Sequence, residues 1–162
     1  APSSISDFSL RDLGRTRVAL AAPLVLMACA LAGCSNAVDV EPPPVEPEVA
    51  AVCADLIGAL PSEVLDQPAV VTEPKSQQTA AWGDPPIVLR CGVAEPASFE
   101  PTSEVTAVNG VDWFPEQRDN DYVFTTWGRT VRVELTVPRD YTPAGALVDV
   151  ADAIKTNVPK TK

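Results

Sequence analysis

The chain has 162 residues and a formal net charge of −10, because 22 acidic residues outnumber 12 basic ones. It contains no histidine, which excludes the Ser-His-Asp and Cys-His catalytic arrangements and the usual zinc sites. The acidic balance repels phosphate backbones, so we expect no nucleic-acid partner.

The first predicted element is a signal peptide over residues 1–33. Its apolar run, residues 18–31, follows three arginines, and its 14 residues are fewer than the roughly 20 of a membrane-spanning helix. The run ends in Leu-Ala-Gly-Cys at 31–34, which resembles the bacterial lipobox, where the cysteine receives a diacylglyceryl group. We therefore expect Cys34 to anchor the protein to the extracytoplasmic face of the cell membrane. The alternatives are an ordinary signal peptide or an uncleaved anchor.

Residues 34–48 are predicted to form an acidic, proline-rich linker. Four prolines among acidic side chains favour an extended, self-repelling chain. At about 3.1 Å per residue, this spacer would hold a domain roughly a few tens of ångströms from the bilayer. Removing residues 1–33 takes away three arginines and two aspartates, which leaves 9 basic and 20 acidic residues and a net charge of −11. Such a charge does not attract anionic lipids, so the acyl group must be the tether.

A single α+β domain is predicted over residues 49–159, followed by a tail at 160–162. We expect a small antiparallel sheet with an N-terminal and a C-terminal helix packed on one face. The first helix ends before Pro61, and the last begins with Thr142 as N-cap and Pro143 in its first turn. The predicted buried stripes are Val49, Val52, Cys53, Leu56 and Leu60 in the first helix and Leu147, Val150, Ala151 and Ile154 in the last.

The segment between the helices reads as antiparallel strands. Residues 69–72 favour a short strand, and residues 87–93 favour an apolar strand that turns Cys91 toward the first helix. Asn109-Gly110 lies between two runs of strand formers and predicts a hairpin. Residues 131–137 alternate apolar and polar side chains, which predicts one packed face and one solvated face.

The cysteines divide by position. Cys29 leaves with the signal peptide and Cys34 is acylated, so Cys53 and Cys91 remain. Two such cysteines most often pair outside the cytoplasm, and the disulfide would contribute roughly 3–4 kcal/mol in the chain-entropy model. The alternative is two unpaired buried thiols. No further Cys or His joins them, so we expect neither a metal site nor a cofactor.

The sequence Arg-Asp-Asn-Asp-Tyr at residues 118–122 offers side-chain oxygens to a calcium ion. It lacks the glycine and the glutamate that an EF-hand loop requires at its sixth and twelfth positions. Clusters of Asp and Asn between strands usually form turns, and we predict a turn here.

The tryptophans supply the candidate partner or ligand surface. Each lies at the end of a predicted strand, where an aromatic side chain can face a partner. The candidate residues are Trp82, Asp84, Trp113, Trp127 and Arg129. The alternative is that the tryptophans fill the core of a small domain. If one is exposed, we expect Trp82 or Trp127, beside the loop at residues 84–86 and the donor Arg129.

No catalytic motif appears in the sequence. It lacks Gly-x-Ser-x-Gly, Ser-x-x-Lys, a Walker loop and a Rossmann fingerprint. A carboxylate pair of the glycosidase kind remains as a route to hydrolysis, but so many acidic residues bring some carboxylates together by chance. We therefore expect no catalytic residues, with a carboxylate-based hydrolase as the alternative.

Several segments of the chain resemble a family of small actinobacterial secreted proteins and lipoproteins. They are "AWGDPPIVLRCGV", "VNGVDWF" and "TTWGRTVRVELTVPRDYTP", with the cysteine of "CADLIGALP" before them. The family is catalogued only as a domain of unknown function, number three-five-one-five. The resemblance covers roughly residues 53–154. It implies an extracytoplasmic domain with a Cys53–Cys91 pair and an actinobacterial source, and it supplies no catalytic residue.

These features favour a non-catalytic interaction protein. We expect a lipid-anchored accessory subunit whose protein partner belongs to an integral-membrane complex of the respiratory or envelope-building kind. The alternative is a binding module for a small molecule or a cell-wall glycan, in which the tryptophans and nearby carboxylates form the site.

Overall fold

The structure, a computed structural model, describes residues 37–162. The predicted signal peptide and the predicted lipidation site, Cys34, lie outside the described residues. Two helices are present in this part of the chain, α1 (Pro47–Ala59) and α2 (Pro143–Asn157). The strands are β1 (Val38–Asp39), β2 (Glu63–Val64), β3 (Gln67–Val70), β4 (Thr72–Glu73), β5 (Thr79–Trp82), β6 (Ile87–Cys91), β7 (Thr106–Val108), β8 (Val111–Gln117), β9 (Asp121–Trp127) and β10 (Val133–Pro138).

Eight strands form one sheet in the order β2-β3-β5-β6-β10-β9-β8-β7. All of its neighbouring strands pair antiparallel. β1 and β4 form a separate parallel pair. The alternating segment predicted at 131–137 becomes β10, which lies near the middle of the sheet between β6 and β9. The architecture is α+β, which confirms the predicted fold class.

Both helices pack on the same face of the sheet. The apolar stripe of α2 is buried in full, and α1 contributes Cys53 and Leu56. These residues join one hydrophobic cluster with the strand residues that point toward the helices. The strand members include Ile87, Leu89, Val133, Leu135 and Val137. We call this side of the sheet the helix face.

The helix ends follow the prolines that the sequence places there. Pro47 stands in the first turn of α1, and Leu60 caps the helix just before Pro61. Thr142 occupies the N-cap position of α2, as predicted, but its side chain makes no capping hydrogen bond. Within the described residues, neither helix is long and apolar enough to cross a bilayer.

The disulfide joins the first helix to the sheet. Cys53 of α1 and Cys91 of β6 are bonded, and their Cα atoms are 5.6 Å apart. Both side chains are fully buried in the hydrophobic cluster. The predicted pairing is confirmed, and the alternative of two free thiols is excluded.

The predicted hairpin is present between β7 and β8. Asn109 has φ +49° and Gly110 has φ +80°, and Val108 and Val111 are directly opposite each other. Two consecutive positive φ angles are those of a type I′ turn, which Asn-Gly favours. The carbonyl of Gly110 in this turn also accepts a hydrogen bond from Arg129.

The N-terminal strap, residues 37–46, lies on the domain, and the prediction of a free linker over 34–48 is wrong for this segment. Val38 pairs with Thr72, and the amide of Val40 donates to the carbonyl of Glu73 at 2.9 Å. Val40 is 4% exposed and Pro43 is buried. The folded domain therefore begins near Val38, about ten residues earlier than predicted.

The strap covers the face of the sheet opposite the helices. Val40 and Glu41 border a hollow with Val88 and Thr136. Ile87 and Leu135, the adjacent residues in the two strands, point to the helix face, so Val88 and Thr136 point to the other face. A Cβ added to Gly92 would collide with Val45 of the strap. The extended conformation that prolines and acidic residues favour suits a solvated spacer and a chain laid across a sheet equally. Tertiary packing decides between them.

Candidate functional site

The five residues predicted as one surface lie in two separate regions. Trp82 ends β5 and Trp127 ends β9, and β6 and β10 lie between these strands. At about 4.8 Å per strand, β5 and β9 are roughly 14 Å apart. Through the registers of the intervening strands, Trp82 lies level with the start of β9, whereas Trp127 is its last residue. Trp82 and Asp84 thus belong to one region, and Trp113, Trp127 and Arg129 to the other.

Two of the three tryptophans are core residues. Trp82 is 1% exposed, and its Nε1 donates to the carbonyl of Pro61 at 3.0 Å. Trp113 is fully buried in the helix-face cluster, and its Nε1 has no hydrogen-bond partner among residues 37–162. The prediction that these two side chains face a partner is wrong, and the core interpretation holds for both. The connection between α1 and β2 covers the strand end at which Trp82 lies.

Trp127 is half-buried and belongs to an aromatic cluster on the face opposite the helices. The ring of Phe99 stacks on it, with centroids 3.8 Å apart and planes 23° from parallel. Phe99 also meets Phe114 edge to face at 5.1 Å. The guanidinium of Arg132 lies 5.3 Å from the Trp127 ring centroid and pairs with Glu95 at 2.7 Å. Phe99 and Arg132 therefore already occupy surfaces of the indole that a ligand would need.

Arg129 is a buried cation that holds backbone carbonyls. Its side chain donates to the carbonyl of Val158, at the end of α2, and to that of Gly110, in the hairpin turn, at 3.1 Å. Among the described residues no carboxylate forms an ion pair with it, and its Nε has no partner. Burial lowers the pKa of the Arg129 guanidinium, and the charge of Asp112 partly opposes that effect. The residue joins three parts of the fold.

A small cavity lies beside Trp127, Arg129 and Arg132. We call the cavity and these three residues the Trp127 corner. The cavity has a volume of about 170 Å³. It is lined by Thr126, Trp127, Gly128, Arg129, Arg132 and Thr161. Pockets for drug-sized ligands measure about 300–1,000 Å³, so this cavity suits a small polar group or one side chain. Of its polar side chains, Arg129 already binds two carbonyls, Arg132 pairs with Glu95, and Thr126 accepts from the amide of Val133.

Asp84 is exposed at the rim of a larger hollow, the Ala37 groove. Its volume is about 460 Å³, and its lining comprises Ala37, Val38, Gln67, Pro68, Val70, Gly83, Asp84 and Pro86. Most of these side chains are apolar. The strap forms one wall of the groove, which is why the sequence interpretation, with the strap placed in a spacer, missed it.

The Arg-Asp-Asn-Asp-Tyr segment forms the predicted turn between β8 and β9. The amide of Arg118 donates to the carbonyl of Asp121 at 2.9 Å. Arg139, the residue that follows β10, donates to the carbonyls of Arg118 and Asp119 at 2.8 and 3.0 Å. The turn is thus stabilised by a cation from the end of the neighbouring strand. Residues 37–162 bring together no group of three or more His, Cys, Asp and Glu side chains for a metal ion.

Comparisons with known proteins place the chain in one family. The family model described as "Protein of unknown function (DUF3515)" matches residues 17–162. Searches of the curated proteins and of the solved structures found no match. The resemblance drawn from the sequence motifs is confirmed, while the actinobacterial source stays a prediction. The match spans the whole described domain, and the chain belongs to the DUF3515 family.

Proposed function

We propose that this protein is a lipid-anchored extracytoplasmic protein that acts as a non-catalytic accessory subunit of a membrane complex, respiratory or envelope-building. The sequence supports the anchor: a basic segment, an apolar run and a lipobox stand in order before Cys34. A diacylglyceryl group brings two acyl chains, and stable attachment to a bilayer requires two such signals.

The observation that carries the proposal is the shortness of the tether. Val38 already belongs to β1, and it follows Cys34 by four positions. A fully extended chain of that length spans at most about 14 Å. An anchored domain would therefore remain at the bilayer surface, within reach of the lipid headgroups and of proteins embedded in the membrane.

The charge of the chain favours a specific partner over general adsorption. A net charge of −11 after residues 1–33 are removed gives no attraction to anionic lipids or to nucleic acid. Strong binding beyond the acyl group must then come from a partner of matching shape and not from general electrostatic attraction. Lateral confinement by the anchor raises the effective concentration of such a partner.

The test is a pull-down of a C-terminally tagged protein from native membranes in mild detergent, with the partners identified by mass spectrometry. Two variants run beside it. Cys34→Ala should be released from the membrane and lose the partner. A long Gly/Ser segment inserted between Asn36 and Ala37 keeps the anchor but removes the short tether, so it should stay in the membrane and retain less partner.

A defined stoichiometric complex in the parent protein, weakened in both variants, would support the proposal. Recovery of the parent protein alone, in each of several mild detergents, would contradict it. Equal recovery of a partner with the Gly/Ser variant would show that confinement at the bilayer surface is not required.

The cavity at the Trp127 corner favours a second candidate function, a binding module for a small molecule or a wall fragment. An anionic group of the ligand would displace Glu95 from Arg132, because the guanidinium of Arg129 is buried and already binds two carbonyls. Tryptophan fluorescence should then change on titration with wall fragments, and Trp127→Phe should remove the change, because Trp82 and Trp113 are buried. A flat response across the fragments would reject this candidate.

A further inference from the structure

We infer that the Ala37 groove and the exposed Val71 beside it form a surface that lies against the phospholipid headgroups and fixes the orientation of the domain on the membrane. This inference rests on the proposed anchor at Cys34. It adds a named contact surface and a lipid partner, which the anchor alone does not supply.

The short segment between Cys34 and Ala37 limits the distance of the groove from the membrane. Ala37 lines the groove and follows Cys34 by three positions, so the two Cα atoms are at most about 11 Å apart. An acylated Cys34 lies at the level of the headgroups. The wall of the groove therefore cannot move more than about one nanometre from them.

The strap prevents the domain from turning away on its tether. The amide of Val38 donates to the carbonyl of Val71 at 2.8 Å, and that of Val40 to Glu73 at 2.9 Å. Val40 and Pro43 are buried. The point at which the chain leaves the domain is thus fixed on the surface, and the side of the domain that carries this point must face the bilayer.

The chemistry of this surface suits a neutral headgroup layer. Val71 is 51% exposed, and Ala37, Val38, Pro68 and Val70 line the groove next to it. Small apolar side chains of this kind insert shallowly at the boundary of headgroups and acyl chains. Three exposed acidic residues lie near them: Asp84 lines the groove, and Asp39 and Glu73 are opposite each other in the β1–β4 pair that holds the strap. Their charge favours zwitterionic lipids over anionic ones.

The opposite side of the molecule offers an internal control. Val148 is 44% exposed and lies on α2, which packs on the helix face. The strap and Val70 lie on the other face of the sheet, since Val70 is opposite Ala81 and Ala81 is opposite Val88. The carbonyl of Val71 accepts from the amide of Val38 in the strap, so Val71 lies beside the strap, and Val148 should be farther from the bilayer than Val71.

The experiment measures the distance of each side from the lipid. Val71→Cys and Val148→Cys each add one free thiol, because Cys53 and Cys91 are joined and an acylated Cys34 does not react. Each variant, purified with its lipid, is labelled with an environment-sensitive fluorophore and reconstituted into phosphatidylcholine vesicles that contain a nitroxide-headgroup lipid. Flotation reports the anchor, and fluorescence quenching reports the contact.

The expected result is quenching several-fold stronger at position 71 than at position 148. The difference should shrink when anionic lipid is added and vanish when a long Gly/Ser segment is inserted between Asn36 and Ala37. Equal quenching at the two positions in floating vesicles would overturn the inference and leave the anchor intact. Position 71 could also be covered in native membranes but not in lipid vesicles. The occupant of this surface would then be a protein, and that result would also overturn the inference. Failure to float would overturn both the anchor and the inference.

Discussion

The Trp127 corner and the Ala37 groove lie in separate parts of the same domain and are built differently. At the Trp127 corner, Arg129 and a stack of aromatic rings join the end of β9 to a hairpin turn and to the end of α2. At the Ala37 groove, a two-residue parallel pair and the buried Val40 hold the strap, and apolar side chains remain exposed. Contacts within the chain close the first region, whereas the second leaves apolar surface for contact with something outside. One region of the domain is thus closed by its own contacts, and the attachment that we propose falls in the other.

The largest effect should come from the disulfide, which lies between the two regions. Replacing both Cys53 and Cys91 with Ala removes a link across 38 residues, and the chain-entropy model gives a loss of about 4 kcal/mol in the free energy of unfolding. Urea denaturation of the Cys34→Ala form, with and without the two replacements, measures this loss. Reduction of the parent should reproduce it, and an unchanged urea midpoint would contradict the prediction.

The next largest effect on stability should differ between the two arginines of the Trp127 corner. Arg129→Leu leaves the buried carbonyl of Val158 and the part-buried carbonyl of Gly110 without their donor, which should cost about 2–3 kcal/mol of unfolding free energy. Arg132→Leu removes a half-exposed pair with Glu95, and such pairs contribute about 0–1 kcal/mol. The two urea midpoints should therefore differ clearly. Equal losses would mean that Arg129 does not join the parts of the fold as described.

A smaller loss of stability is expected from a replacement in the strap. A solvated spacer would show no such loss. Val40→Ala removes two buried carbon atoms, which should cost about 2 kcal/mol. Val71→Ala, at an exposed site of the groove, should change stability by less than about 0.5 kcal/mol. Limited proteolysis should also cut the strap faster in Val40→Ala than in Val71→Ala. Two variants of equal stability and equal protease sensitivity would mean that the strap does not pack on the sheet.

Local patterns were enough to predict both helices, the β7–β8 hairpin, β6 and β10, but not the two-residue strands β1 and β2. The Asn109-Gly110 turn needs two positive φ angles, which few other dipeptides accept, so its position was predictable. The stripe of α2 and the alternation in β10 reported which side chains are buried, because helical and strand periodicities differ. The cysteine pair followed from the expected compartment and from the expected removal of Cys29 and acylation of Cys34.

Tertiary coverage was not predictable from the same patterns. Val38 and Val40 alternate with Asp39 and Glu41, which is a strand signal, but four nearby prolines favour a spacer just as well. The tryptophans at strand ends looked able to face a partner, yet the segment at Pro61 covers one of them and the helices cover another. The burial of Arg129 had no signal in the sequence, because its acceptors are carbonyls from residues 19 and 29 positions away.

The smallest effect concerns the acidic charge around the Ala37 groove. The hydroxyl of Tyr141 donates to the carbonyl of Pro85 at 3.0 Å. Burial raises the pKa of Tyr141, and the charges of Asp140 and Asp84 raise it further. Because the folded state then keeps a proton that the unfolded state has lost, this contribution to stability is present below pH about 10 and is lost as the pH rises through the folded pKa.

A spectroscopic titration of the phenolate tests this effect. The chain has two tyrosines, so Tyr122→Phe isolates the signal of Tyr141 and Tyr141→Phe identifies it. In the Tyr122→Phe background, Asp84→Asn should lower the pKa of Tyr141, whereas Asp152→Asn, on the outer side of α2, should leave it in place. An identical response to the two replacements would show that the charge at the groove rim does not reach Tyr141. In that case, replacements of Asp39 and Glu73 would have to show which carboxylates disfavour anionic lipids.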